Sequence, residues 1–156
     1  MSIPNVKGGA KMALPNITEQ NSELQVIVLN LTPHNLTEDQ RNAGAVEPAS
    51  KKIVKRLLTF TEQPTTEEVQ QRANELARIA YTEWEYDLDQ SHIRKNNRYV
   101  MVGGPLYLIP KVDIALRNLG LIPVYAFATR ESIDIVYSNG TTGKSQIFKH
   151  IAFIGI

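Results

Sequence analysis

The chain has no cysteine, which excludes a disulfide framework, an iron–sulfur cluster, a thiolate zinc site and a cysteine nucleophile. Histidine is scarce as well, at three residues, so little is left for imidazole metal chemistry. Neither sign of charge dominates: seventeen Lys and Arg against sixteen Asp and Glu give a net charge of +1. That balance lacks the broad positive field of a non-specific nucleic-acid binder, and duplex nucleic acid is not an expected partner. No apolar run approaches the ~18 residues that a membrane span needs. The first residues, with Pro4, Gly8, Gly9 and Pro15 among polar neighbours, lack the apolar stretch of a secretory signal. A cytoplasmic protein without membrane attachment is expected, and the Asn-x-Thr triplets at Asn16, Asn30, Asn35 and Asn139 are then chance.

What is present is an ordinary globular balance, 42% hydrophobic and 21% charged over 156 residues, enough for one domain with its own core. Residues 1–22 bury too little apolar surface to repay ordering and are expected to form a flexible tail. Residues 23–156 are expected to form a single Rossmann-like α/β domain. Leu24 to Leu31 is a nearly continuous β-branched and apolar run, the pattern of a strand buried on both faces. Thr37 and Gln40, and again Thr65 and Glu68, have capping-box spacing and predict two helix starts. Between them Ser50 opens a helix with Ile53, Val54, Leu57 and Leu58 on one side and Lys51, Lys52, Lys55 and Arg56 on the other, read as a solvated face. Val69, Ala73, Leu76, Ala77 and Ala80 form a helical stripe for packing on a sheet.

Trp84 and Leu88 continue that helical spacing, while Glu83, Glu85, Asp87 and Asp89 alternate; a solvated helix end or an exposed loop is expected there, with no metal. Arg98 to Gly104 reads as a short buried strand ending in a glycine pair. Pro110 then opens a helix bearing Val112, Ala115, Leu116 and Leu119, which Gly120 stops. Ile122 to Phe127 is a third strand, and Ser132–Tyr137 and Lys144–Ile156 flank an Asn139-Gly140 turn. The fold class predicted is an open, mostly parallel α/β sheet with a C-terminal antiparallel hairpin. The apolar tail of Ile147, His150, Ile151, Phe153, Ile154 and Ile156 is expected to serve as a structural strand or a subunit contact, with His150 structural. Gly140 to Ser145 echoes a phosphate-binding loop, but it lacks the first glycine and a following helix, and is read as a hairpin tip.

In open α/β sheets ligands bind beyond the carboxyl ends of the parallel strands. Three predicted segments occupy those ends. The first supplies Asn30, Thr32, His34 and Asn35; the second runs from Gly103 and Gly104 to Tyr107; the third supplies Arg130, Glu131 and Ser132. Hydrogen-bonding side chains, a glycine pair that admits close backbone approach and a guanidinium together suit a phosphate-bearing ligand. Neither a metal nor a cofactor is expected.

The order Asn-Leu-Thr-x-His (30–34), Gly-Gly-x-x-Tyr (103–107) and Tyr-Ala-Phe-x-x-Arg-Glu-Ser (125–132), followed by an apolar strand, resembles a group of short bacterial single-domain proteins. It also resembles the small stand-alone members of the CRISPR-associated Rossmann-fold (CARF) class, over about residues 24–156. That resemblance implies a homodimer binding cyclic oligoadenylate across its two-fold axis, with metal-free cleavage as a ring nuclease as the catalytic form of the expectation. Arg130 and the amides near Gly103 and Gly104 would then stabilise developing charge, Thr32 and Ser132 would position phosphate oxygens, and His34 would move a proton. Asn30, Asn35 and Tyr107 complete the expected ligand-binding set. Two departures stand out: residues 1–22 have no counterpart, and no lysine lies in the third loop. The alternative is a non-catalytic ligand-sensing or protein-interaction module using the same crevice, and beyond it a structural accessory subunit.

Overall fold

Buried parallel strands need apolar side chains on both faces, and the first strand meets that demand with four fully buried residues, Val28–Leu31 (β1). In the computed structural model, residues 26–88 and 97–156 are described. The expected tail 1–22, the start of the Leu24 run, Asp89 and the connector with His92 lie outside them. The remaining strands are Ala45–Val46 (β2), Tyr99–Val102 (β3), Ile122–Val136 (β4) and Thr142–Ile154 (β5). They form one sheet in the order β2-β1-β3-β4-β5. Every pairing is parallel except β4 with β5, as the predicted fold class requires. β2 was not foreseen; two residues carry no period, and the strand exists through its register with Val28 and Leu29.

Helices α1 (Glu38–Asn42), α2 (Lys51–Leu58), α3 (Thr66–Glu83) and α4 (Ile109–Asn118) start largely where their signals predicted. The Thr37 hydroxyl accepts from the Gln40 N–H at 3.2 Å, and the Gln40 side chain accepts from the Thr37 N–H at 3.1 Å, so both halves of that capping box form. At Thr65 only the forward bond forms, to the Glu68 N–H at 3.1 Å, because the Glu68 carboxylate pairs with Arg72 at 2.9 Å instead. The stripe Val69, Ala73, Leu76, Ala77 and Ala80 is buried as expected. Ile53 and Leu119, expected inside, are exposed, at the margins of their helical stripes.

The chain leaves β1 to one side for β2 and returns across it to β3, so right-handed crossovers fall on opposite faces of the sheet. Packing agrees. Leu29, Leu31, Val100 and Val102 join α2, α3 and α4 in the larger core, whereas Val28, Met101 and Val124 turn to the other face with Leu36 and Ala45.

At the end of α3 the acidic run has a structural use. Glu83 is buried, and its Oε1 accepts the Ala49 N–H at 2.8 Å and the Ser50 N–H at 3.4 Å, at the start of α2. Ser50 makes no side-chain cap of its own, and the Glu83 carboxylate instead holds the amides of the two residues that lead into α2. A π-helical turn, Trp84–Leu88, follows and buries Trp84 completely, with its indole N–H on the Tyr99 carbonyl at 3.2 Å.

The largest departure from expectation lies in β4. It does not stop at Phe127 but runs to Val136, so Thr129 to Ser132 are mid-strand and form no loop. Nothing in Thr-Arg-Glu-Ser breaks a strand, and pairing with β5 continues register by register from Tyr125–Ile154 to Val136–Thr142. Beyond Val124 the pair leaves the β3 edge and stands as a two-stranded arm. The arm turns at Asn139-Gly140, where Gly140 has φ 84° and the Asn139 side chain accepts the Thr141 N–H at 3.0 Å. The Gly140–Ser145 stretch is thus a hairpin tip leading into β5, as read. At the arm's base Tyr125 donates its hydroxyl to Asp113 at 2.8 Å, and burial, then that carboxylate, pushes its pKa up to about 12.

Glu83→Ala strips the Ala49 and Ser50 amides of their acceptor and is expected to lower the unfolding free energy by about 1–3 kcal/mol, measured by urea denaturation. Glu85→Ala, which breaks only the partly exposed pair with Arg98, is expected to stay below about 1 kcal/mol.

Candidate functional site

The strand order reverses between β1 and β3, so the loops that follow them face each other at the topological switch point. Asn30, the only fully buried polar residue described, organises the first loop. Its Nδ2 donates to the His34 carbonyl at 2.9 Å and to Glu47 Oε1 at 2.7 Å. Its Oδ1 accepts the Thr32 N–H at 3.0 Å and the Thr32 hydroxyl at 2.7 Å. These bonds curl the chain back on itself in an Asx-type turn. The amide is spent inside the loop, so Asn30 shapes the crevice wall.

Glu47 and Lys51 lock the turn from outside. Glu47 Oε2 accepts the Leu36 N–H at 3.0 Å. Lys51 Nζ reaches the carbonyls of Thr32 at 2.9 Å and His34 at 2.8 Å, and Glu47 at 3.1 Å. Burial by itself would raise the Glu47 pKa, but the hydrogen bonds from Leu36, Asn30 and Lys51, with the charge of Lys51, outweigh it and hold the carboxyl below its ordinary range. Lys51 moves down: burial outweighs the pull of Glu47, and the like charge of Lys55 adds to the effect. Its three acceptors nevertheless require the ammonium form, which alone offers three donors.

The second loop closes onto the first. A Cβ on Gly103 would lie 3.1 Å from the Thr32 methyl, and one on Gly104, whose φ is 137°, would lie 3.1 Å from Leu58 Cδ2. The glycine pair therefore lets β3 end flush against Thr32 and α2. Thr32 is buried, while His34 and Asn35 stand exposed at the crest. The His34 ring has no hydrogen-bond partner among the described residues. Tyr107 is half exposed and meets Phe60 edge-on, with ring centroids 5.4 Å apart. Beside it lies a cleft of about 350 Å³ lined by Pro64, Thr65, Thr66, Val69, Tyr107 and Lys111, among others.

One contributor was missed by sequence reasoning. Lys51, Lys55 and Leu58 share one face of α2 at i, i+4 and i+7. Lys51 touches the first loop and Leu58 abuts Gly104 in the second. Lys55 shares that stripe between Lys51 and Leu58 and has no anionic partner among the described residues. The signal was the i, i+4 lysine pair at the start of a helix that follows the switch-point loop.

Arg130 and Ser132 are not brought to this seam within the chain. Arg130 is six residues past Val124, the last residue paired with β3, about 20 Å along an extended strand. Its guanidinium lies over the Phe148 ring on the arm, 5.2 Å from the centroid. The expectation that both residues occupy a loop at a strand end is corrected: the strand does not end there.

A family model described as the uncharacterized protein MJ1673 family matches residues 26–154. The chain belongs to that family. The match runs from the residues before β1 to the last residue of β5, so switch-point loops and arm alike fall within the family's extent. No curated protein and no solved structure matches the chain. No described helix is long and apolar enough to cross a membrane.

Because the folded Glu47 pKa lies below its unfolded value, this carboxylate contributes stability above about pH 4.3. That contribution is lost as pH falls through the lower folded value. Glu47→Gln is expected to flatten the dependence of the urea midpoint on pH below about 5, and unchanged slopes would contradict the role given to Glu47.

Proposed function

We propose that the switch-point crevice binds a phosphate-bearing nucleotide ligand. The supporting observation is the seam itself: Thr32 and Gly103 abut where the strand order reverses, flanked by α2, whose Lys55 has no anionic partner among the described residues. A phosphate at the seam meets a cation on a rigid helix and a backbone bare of Cβ atoms. Tyr107 and the adjoining cleft offer an aromatic edge and apolar walls for a base.

The CARF-like resemblance extends the proposal to cyclic oligoadenylate held between two copies of the chain. In its catalytic form a ribose 2′-hydroxyl gives up its proton and attacks the adjacent phosphorus, the bond to the 5′-oxygen breaks to leave a 2′,3′-cyclic phosphate, and His34 moves the proton from the attacking to the leaving oxygen. Arg130 would have to reach the phosphorane from an arm that its own chain holds apart. The unoriented His34 ring and the remote Arg130 favour the non-catalytic alternative, a ligand-sensing module whose crevice binds without turnover.

The test is incubation of the full chain with cyclic and linear oligoadenylates and mononucleotides in the presence of chelator, reading thermal shift and chromatographic product together. Stabilisation by a phosphate-bearing nucleotide is expected. Lys55→Ala should weaken it by about ten- to hundredfold, the worth of one charged hydrogen bond. Ring opening selects the catalytic form, intact ligand the sensing form, and no shift with any nucleotide removes the proposal.

A further inference from the structure

From Ala126 onward neither β4 nor β5 contributes a single buried residue. Two strands alone are marginal in water, so an arm of this length needs a layer to lie against. Side chains alternate across the ribbon, and the register places Phe127, Thr129, Glu131, Ile133 and Ile135 on one face with Ala152, Lys149, Ile147 and Ser145 opposite them. Phe127, Ile133 and Ile147 on this face are 46%, 40% and 41% exposed. Phe127 stands towards one end of the face and Ile133 towards the other; between them Thr129 lies opposite Lys149 and Glu131 opposite Ile147, with the ion pair Glu131–Lys149 running diagonally at 4.0 Å.

That pattern is self-complementary. Turned about a two-fold axis between the Thr129–Lys149 and Glu131–Ile147 levels, a second copy lays its Phe127 level on the first copy's Ile133 level. It also brings Lys149 of each copy to Glu131 of the other, so no charge is buried alone. The other face also exposes Phe148 and Val136, at 62% and 72%, but Arg130 lies over Phe148 and the charged Asp134–Lys144 position separates Phe148 from Val136. Twelve paired positions make a face about 40 Å long and 10 Å wide, so two faces remove at least ~800 Å² in plan, before side-chain relief is counted. That is about half a standard interface, in keeping with reversible association in the micromolar range.

We infer that the β4–β5 arm is a dimerisation device: two copies of this chain pack arm on arm, antiparallel, through the Phe127–Ile133–Ile147 face. The inference stands on the arm alone and is independent of the crevice and its ligand.

The test is sedimentation equilibrium of the full chain, with circular dichroism to show that variants stay folded. The unmodified chain is expected to be a dimer at concentrations on the order of 100 μM. Ile147→Glu, at an exposed position, should keep the spectrum and weaken association at least about thirtyfold. Glu131→Lys and Lys149→Glu should each be monomeric, and mixing the two should restore a dimer of mixed composition, which an intramolecular pair could not produce. A monomeric unmodified chain overturns the inference and leaves residues 1–25 or a foreign protein to cover the arm. A dimer indifferent to all three substitutions also overturns it, because the interface then lies elsewhere.

Discussion

The side chain of Asn30 is a primary amide at the carboxyl end of the central strand, with no exposure to water. Left unpaired there, its donors and acceptor would cost several kcal/mol. They are all paired only if the chain after β1 curls so that Thr32 and His34 fold over the amide and Glu47 comes in from β2's side. Glu47 in turn fixes Lys51, and with it the start of α2. The direction of α2 then decides that Leu58 meets Gly104 and that Lys55 falls on the same stripe as Lys51 and Leu58. One buried amide thus propagates through a carboxylate and an ammonium to the geometry of the crevice.

Body and arm follow different physics. In the body, crossovers on both faces bury the sheet, and strands of four residues suffice because each side chain finds a helix or loop above it. In the arm, beyond the base where Tyr125 and Phe153 still touch the body, the longest strands of the protein pair chiefly with each other. An apolar surface that would belong to a core in the body faces outward there, and its natural complement is an equivalent surface.

Much of the body was legible before any coordinates. Thr37 with Gln40 and Thr65 with Glu68 marked helix starts because capping is a local interaction between residues three apart. The stripe from Val69 to Ala80 was legible for the same reason, since a helix converts spacing directly into burial. β2 was illegible, because two residues are a strand only by virtue of the strand beside them. Thr32 and Gly103 were placed at neighbouring strand ends by the rule for open sheets, and they abut, while Gly104 meets Leu58. Arg130 and Ser132 were assigned by the same rule to a strand end that does not exist. Lys55 was passed over as solvated surface because periodicity tells which face of a helix is polar, not what lies opposite it.

The sequence by itself determined the alternation of strands and helices, the helix boundaries set by Thr, Pro and Gly, the hairpin turn at Asn139-Gly140 and the apolar character of the final strand. Each of these depends on interactions within a few residues, or on a period that one element imposes. Tertiary structure alone decided that Glu83 would hold the approach to a helix thirty-odd residues away, that Asn30 would be consumed in shaping a loop, and that β4 would continue past the sheet into an arm. Those outcomes depend on which distant groups meet when the chain closes, and no local period or spacing encodes such meetings.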